Sequence, residues 1–104
     1  MSPQIGHLSE AEAEAQLALK DAKAAEPLVQ SALDGCAAQY GERSPICANR
    51  VILQARVRLL QGRKAEAKVL ADKAERDLVD AGDGGKHFLP LLEKLKGEID
   101  AAGK

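Results

Sequence analysis

The chain has 104 residues, of which 45% are hydrophobic and 30% charged, with a formal net charge of −1 and only Tyr40 and Phe88 aromatic. That length bounds a single domain over residues 1–104, and the charge balance argues against intrinsic disorder and against a generic nucleic-acid binder. The apolar runs are far too short to cross a bilayer, so no membrane insertion is expected, and the opening MSPQIGHLSE has neither the basic nor the apolar region of a signal peptide.

Apolar residues recur at helical spacing throughout, and no alternating strand pattern is present. A first helix is expected within Pro3–Leu19, with Ser9 and Glu12 offering a second start as a capping box. A second is expected from about Ala24 to Tyr40, where Pro27 is tolerable if it lies in the first turn. The third runs from Pro45 to Gln61, opened by Ser44 as N-cap and closed by Gly62. The fourth spans about Lys64 to Ala81. The fifth spans about His87 to Ala101, with Phe88, Leu91, Leu92, Leu95 and Ile99 on one stripe. Between the last two, DAGDGGKH reads as a helix stop and linker, because it lacks the spacing of a phosphate-binding loop and follows a helix.

A shift of 42 residues superimposes the chain on itself. Ser2-Pro3 falls on Ser44-Pro45 and Ala13 on Ala55; Ala25, Leu28 and Ala32 fall on Ala67, Leu70 and Ala74. Charge is segmented as well. Residues 1–42 carry a net −5, residues 43–76 a net +6 and residues 77–104 a net −2. Such a pattern reads first as mutual satisfaction of packed neighbours.

The segment Ala24–Ala74 resembles the long tetratricopeptide repeat (TPR) of the kinesin light chain type. Ala25-Glu26-Pro27-Leu28 and Ala32-Leu33 sit where that repeat has its second-helix signature. Tyr40-Gly41 and Ser44-Pro45 resemble its inter-repeat turn, and Ala48, Ala55, Gly62, Glu66-Ala67, Leu70 and Ala74 continue the pattern. Arg58 and Gln16 depart from its first-helix aromatic, and Gln54 from a usual Leu. The resemblance implies an all-α, right-handed antiparallel helix-hairpin solenoid of five helices. Repeat 1 would cover about 3–41, repeat 2 about 44–82, and a closing helix about 87–101. Its first helices would line a concave surface that binds a protein or peptide partner.

Both cysteines lie in CAAQYGERSPIC, which this reading makes the turn between repeats. Antiparallel neighbours bring Cys36 and Cys47 close enough for a disulfide, while two buried free thiols fit the apolar face equally well. A metal or redox centre is disfavoured, since no CxxC is present and His7 and His87 are remote in sequence. Free thiols would point to the cytoplasm and a bridge to a periplasmic or secreted setting. The alanine-rich composition suggests a GC-rich, bacterial-looking genome.

No acid, base and nucleophile converge, and no cofactor motif is present, so an enzyme is not expected. On the third helix, Arg50, Gln54, Arg58 and Gln61 form one polar stripe, opposite Ile52, Leu53, Leu59 and Leu60. Asn49 and Arg56 lie within the apolar side, two turns apart, where buried polar groups need a partner or water. One reading is an internal contact, for instance Arg56 with Glu14, which sits one period earlier. The other is a groove: the resemblance puts Asn49 and Arg56, and one period earlier His7 and Glu14, on first-helix positions that face the concave surface, where Arg56 would clamp a partner's carboxylate and Ile52 and Leu53 hold an apolar side chain. The favoured role is therefore a protein–protein interaction module, an adaptor or regulatory domain. The rivals are a self-associating homodimeric unit and a weak nucleic-acid binder using Arg43, Arg50, Arg56, Arg58, Arg63 and Lys64.

Overall fold

The computed structural model describes residues 3–102, with side chains from residue 10 onward. All regular structure among them is helical: α1 Pro3–Ala18, α2 Ala22–Leu33, α3 Cys36–Tyr40, α4 Pro45–Leu60, α5 Lys64–Ala81, a 3-10 segment Gly82–Phe88, and α6 Leu89–Ala102. Five long helices carry the fold. In both its first and its last residue α4 repeats α1 at a shift of 42 residues, and α5 begins 42 residues after α2.

The alanines that coincide under this shift are among the most tightly enclosed side chains. Ala13 and Ala55, Ala25 and Ala67, and Ala32 and Ala74 are each 0% exposed. A methyl group at the crossing point lets two helix backbones approach closely, which is how a chain with two aromatics still builds a packed interior. α1 packs on α2 and α4, α2 on α4, and α5 and α6 on α4 and on each other. α4 is the shared wall. Leu53 and Val57 face the first cluster, with Ala13, Leu17, Ala25 and Val29. Ala48, Val51, Ile52 and Ala55 face the second, with Leu78, Leu92, Leu95 and Ile99.

Local chemistry sets the boundaries. Ser44 accepts a hydrogen bond from the Cys47 N–H at 3.2 Å and Pro45 follows, so α4 starts where the sequence places it. α1 begins at Pro3, so Ser9 and Glu12 fall inside the helix rather than at its start. The second predicted helix differs in two respects. Asp21 caps it through the Ala24 N–H at 3.0 Å, two residues earlier than expected, which moves Pro27 into the second turn. It then breaks after Leu33, because Gly35 adopts a left-handed conformation (φ 76°) and turns the chain into the short α3. The expected linker is instead a 3-10 turn. There Gly85 is pressed on α5 so closely that a β-carbon would lie 2.2 Å from the Leu78 carbonyl oxygen.

Cys36 and Cys47 are joined by a disulfide, with their Cα atoms 5.9 Å apart. It ties α3 to the first turn of α4, so the stretch between the two cysteines is a staple and not a pair of free thiols. No described helix is long and apolar enough to cross a membrane.

Candidate functional site

Three helices present one face to a shared groove: α1, α4 and α6. Its upper cleft, about 130 Å³, is lined by Glu14, Asn49, Ile52, Leu53, Arg56, Leu91, Lys94 and Glu98. Its lower cleft, about 350 Å³, is lined by Leu17, Ala18, Lys20, Arg56, Leu59, Leu60, Lys94 and Glu98. Arg56, Lys94 and Glu98 belong to both, so the two clefts are one continuous groove with Arg56 at its middle.

The structure brings five of the six predicted contact residues together here: Glu14, Asn49, Ile52, Leu53 and Arg56. His7 lies outside the residues whose side chains are described. Their roles are unequal. Ile52 and Leu53 are 1% and 3% exposed, so they form the groove floor and belong to the core. Leu91 and Leu60, at 44% and 41% exposed, are the apolar side chains a ligand can touch.

Asn49 has the internal partner its burial demands. Its Nδ2 donates to Glu10 Oε1 at 2.5 Å, which fixes the amide orientation. Its Oδ1 is buried and accepts no hydrogen bond from the described residues, while the side chain lines the upper cleft. An amide so held presents an acceptor to whatever donor enters the groove.

Arg56 is half-buried and makes no hydrogen bond or ion pair of its own with the described residues. Its charge does reach Glu14. Burial, and then the neighbouring Glu10 charge, push the Glu14 carboxyl above its ordinary value, and Arg56 opposes them only in part. The expected Arg56–Glu14 contact is therefore a through-space attraction rather than a closed pair. Lys20 and Lys94 likewise make no ion pair among the described residues. Three cations and two carboxylates line the groove, and the lower cleft carries all three cations against Glu98 alone.

Lys20 was not among the predicted contacts. It closes α1 in a left-handed conformation, φ 59°, the only non-glycine residue described with a positive φ. Its N–H bonds to the Leu17 carbonyl, and the next N–H reaches back to Gln16. Gly62 closes α4 by the same pair of bonds one period later. The repeat thus places a lysine where glycine is conformationally favoured, on the rim of the groove, and the 42-residue shift alone pairs the two positions.

The expected polar stripe of α4 is corrected at Arg50, which is 1% exposed. Its Nη1 donates to the Ala32 carbonyl at 2.7 Å, its Nε lies 3.7 Å from Glu10 Oε2, and its guanidinium sits 5.7 Å from the centre of the Tyr40 ring. The elbow between α2 and α3 folds over this side of α4, so a position that projects outward on an isolated helix faces protein. Arg58 and Gln61 do lie toward solvent and share Glu26. Arg43 pairs with Asp77 and Asp80, and Arg63 with Glu66. Of the six cations that a nucleic-acid reading would use, Arg43, Arg50, Arg58 and Arg63 thus have carboxylate neighbours.

No protein-family model, curated protein or solved structure matches this chain.

Proposed function

We propose that this chain is a helical-repeat interaction module whose α1–α4–α6 groove binds a peptide or helix carrying a carboxylate beside an apolar side chain. Arg56 carries the reading: a half-buried guanidinium at the centre of a groove, without an ion pair among the described residues, invites an anionic partner, for which its planar fork is suited. Lys20 and Lys94 flank it, Leu60 and Leu91 supply apolar contact, and Asn49 Oδ1 offers an acceptor to a ligand N–H. Two TPR-like units, α1 to α3 and α4 to α5, closed by α6, account for the 42-residue offset and for contacts running between successive helices. In such a stack α1, α4 and α6 are the corresponding first helices, which is why they share one groove.

The experiment is selection from a library of short random peptides on the native chain, counter-selected on Arg56→Glu. Enrichment of acidic–apolar peptides that Arg56→Glu releases, with NMR shifts confined to α1, α4 and α6, supports the reading. Peptides that bind both proteins alike, or none at all, refute it.

Self-association is the second reading. Val69, 67% exposed, borders an open apolar cleft of about 430 Å³ with Gln54, Ala65 and Leu70, away from the groove. Sedimentation of the wild type against Val69→Lys separates the two: a dimer lost in the variant supports it, and a wild-type monomer excludes it.

A further inference from the structure

We infer that the Cys36–Cys47 disulfide governs how firmly α1 is docked on α4, through a relay of Tyr40, Arg50 and Glu10. The relay itself needs no ligand. That it tunes ligand uptake rests on the groove reading above.

The argument begins at α3. Its five residues are too few to hold a helix by themselves. Gly35 and Gly41 flank it, both at positive φ, so the backbone can turn at either end. Of its side chains only Cys36 is buried, and Ala37, Ala38 and Gln39 face solvent. Its attachments to α4 include the disulfide to Cys47 and the Tyr40 ring against Arg50. With the covalent one cut, α3 is held by non-covalent contacts alone, the Tyr40 ring against Arg50 among them, in a segment with glycine at both ends.

Arg50 connects the rest. It stands three residues after Cys47 on α4 and touches three other elements: the Tyr40 ring of α3, the Ala32 carbonyl at the end of α2, and Glu10 of α1. Glu10 also accepts from Asn49, whose side chain lines the groove. The α3 cover keeps water from this network, where a low local dielectric gives the Arg50–Glu10 attraction its strength. When α3 lifts, water reaches the guanidinium and weakens that attraction. α1 is the element with most to lose, since Glu10 contacts Arg50 and Asn49 of α4 through this network while α5 and α6 are packed on the opposite side.

The chemistry is thiol–disulfide exchange with a dithiol reductant. A thiolate attacks one sulfur, the S–S bond breaks, and a mixed disulfide forms. The second thiol of the reductant then displaces the protein sulfur. Two electrons and two protons pass to Cys36 and Cys47, and the reductant leaves as a cyclic disulfide. Cys36 and Cys47 are 2% and 5% exposed, so attack proceeds from a local fluctuation that bares one sulfur while the bridge still ties α3 to α4.

The test is amide hydrogen exchange on the full chain, oxidised and then reduced by dithiothreitol, with the thiols counted by mass in each sample. Reduction is expected to raise exchange in α3 and in the described part of α1 by about tenfold or more, and to leave α5 and α6 within about twofold. Tyr40→Leu, with the disulfide intact, is expected to loosen α1 in the same sense, which a purely covalent effect would not produce. The relay is overturned if the fully reduced protein keeps α1 protection unchanged, if all helices lose protection alike, or if Tyr40→Leu leaves α1 unaltered. None of these readouts involves a peptide, so the relay and the groove reading can fail separately.

Discussion

The two sides of α4 are held by different physics. On the α5–α6 side, eleven buried residues form one apolar cluster in which Leu78, Leu92 and Leu95 are wholly enclosed. On the α1–α3 side, six buried residues cluster among those whose side chains are described, and beside them stand a disulfide, a buried arginine and an amide–carboxylate bond. Apolar burial is non-directional and scales with area. A polar latch is directional, and it fails as a unit when one member is lost. The first side therefore sets stability, while the second sets the placement of α1 and with it the width of the groove.

Shortening an apolar side chain on the α5–α6 side tests this at its largest. Leu95→Ala should cost about 2–5 kcal/mol and lower the whole melting transition, as seen by circular dichroism at two wavelengths. A loss below about 1 kcal/mol would mean that the cluster is looser than its burial indicates. Arg50→Ala comes next, at about 2–4 kcal/mol, because it strands the Ala32 carbonyl and leaves Glu10 half-buried without its guanidinium. The comparison is sharpened by where the loss appears. Arg50→Ala should erode protection in α1 before α5 in native-state hydrogen exchange, and an even loss would refute the division.

Helix periodicity made most of this legible in advance. The Ser44 cap, the Gly62 stop and the 42-residue offset are local signals, and local signals survive into the fold. Of the groove residues, Asn49 and Arg56 stand out as polar side chains on an apolar helix face, Ile52 and Leu53 as their apolar neighbours there, and Glu14 through the offset from Arg56. Arg50 could not be placed in this way, since its burial depends on a break at Asp34–Gly35 that folds α3 back over it. The role of Lys94 and Glu98 depends on how α6 lies across α4, a tertiary fact with no imprint on either helix. Gly85 is of the same kind: its need for glycine comes from the Leu78 carbonyl, not from its own backbone angles.

That close approach supplies a third test. Gly85→Ala should cost about 1–3 kcal/mol, since the neighbour is backbone and cannot rotate away. Gly97→Ala is the control, because a β-carbon there meets nothing within 4 Å; helix propensity should make it about 0.5–1 kcal/mol more stable. Equal effects at the two glycines would show that the 3-10 turn is not pressed on α5.

Asp77 gives a smaller effect with a defined pH window. Burial pushes its carboxyl up, but hydrogen bonds and charge from Lys73 and Arg43 outweigh this and leave it below the ordinary carboxylate value. A depressed folded pKa means that the stabilisation is present above the unfolded value, about 3.9, and is lost as pH falls through the folded one. Asp77→Asn should therefore be less stable than wild type at neutral pH by about 1–2 kcal/mol, and the gap should close below about pH 4. Denaturant midpoints measured from pH 7 downward read it directly, and a gap that does not begin to narrow as pH falls below about 4 would assign the loss to packing instead.

The smallest effect lies on the groove itself. Holding lysine at φ 59° costs about 1–2 kcal/mol relative to a residue without a β-carbon, and glycine gives back part of that through a freer unfolded chain. Lys20→Gly should raise stability by about 0.5–1 kcal/mol while removing one cation from the lower cleft. Weaker binding of an acidic peptide by this more stable protein would show stability exchanged for a charge at the rim. A stabilised variant that binds such a peptide unchanged would remove Lys20 from the site and leave Arg56 and Lys94 to hold the anion.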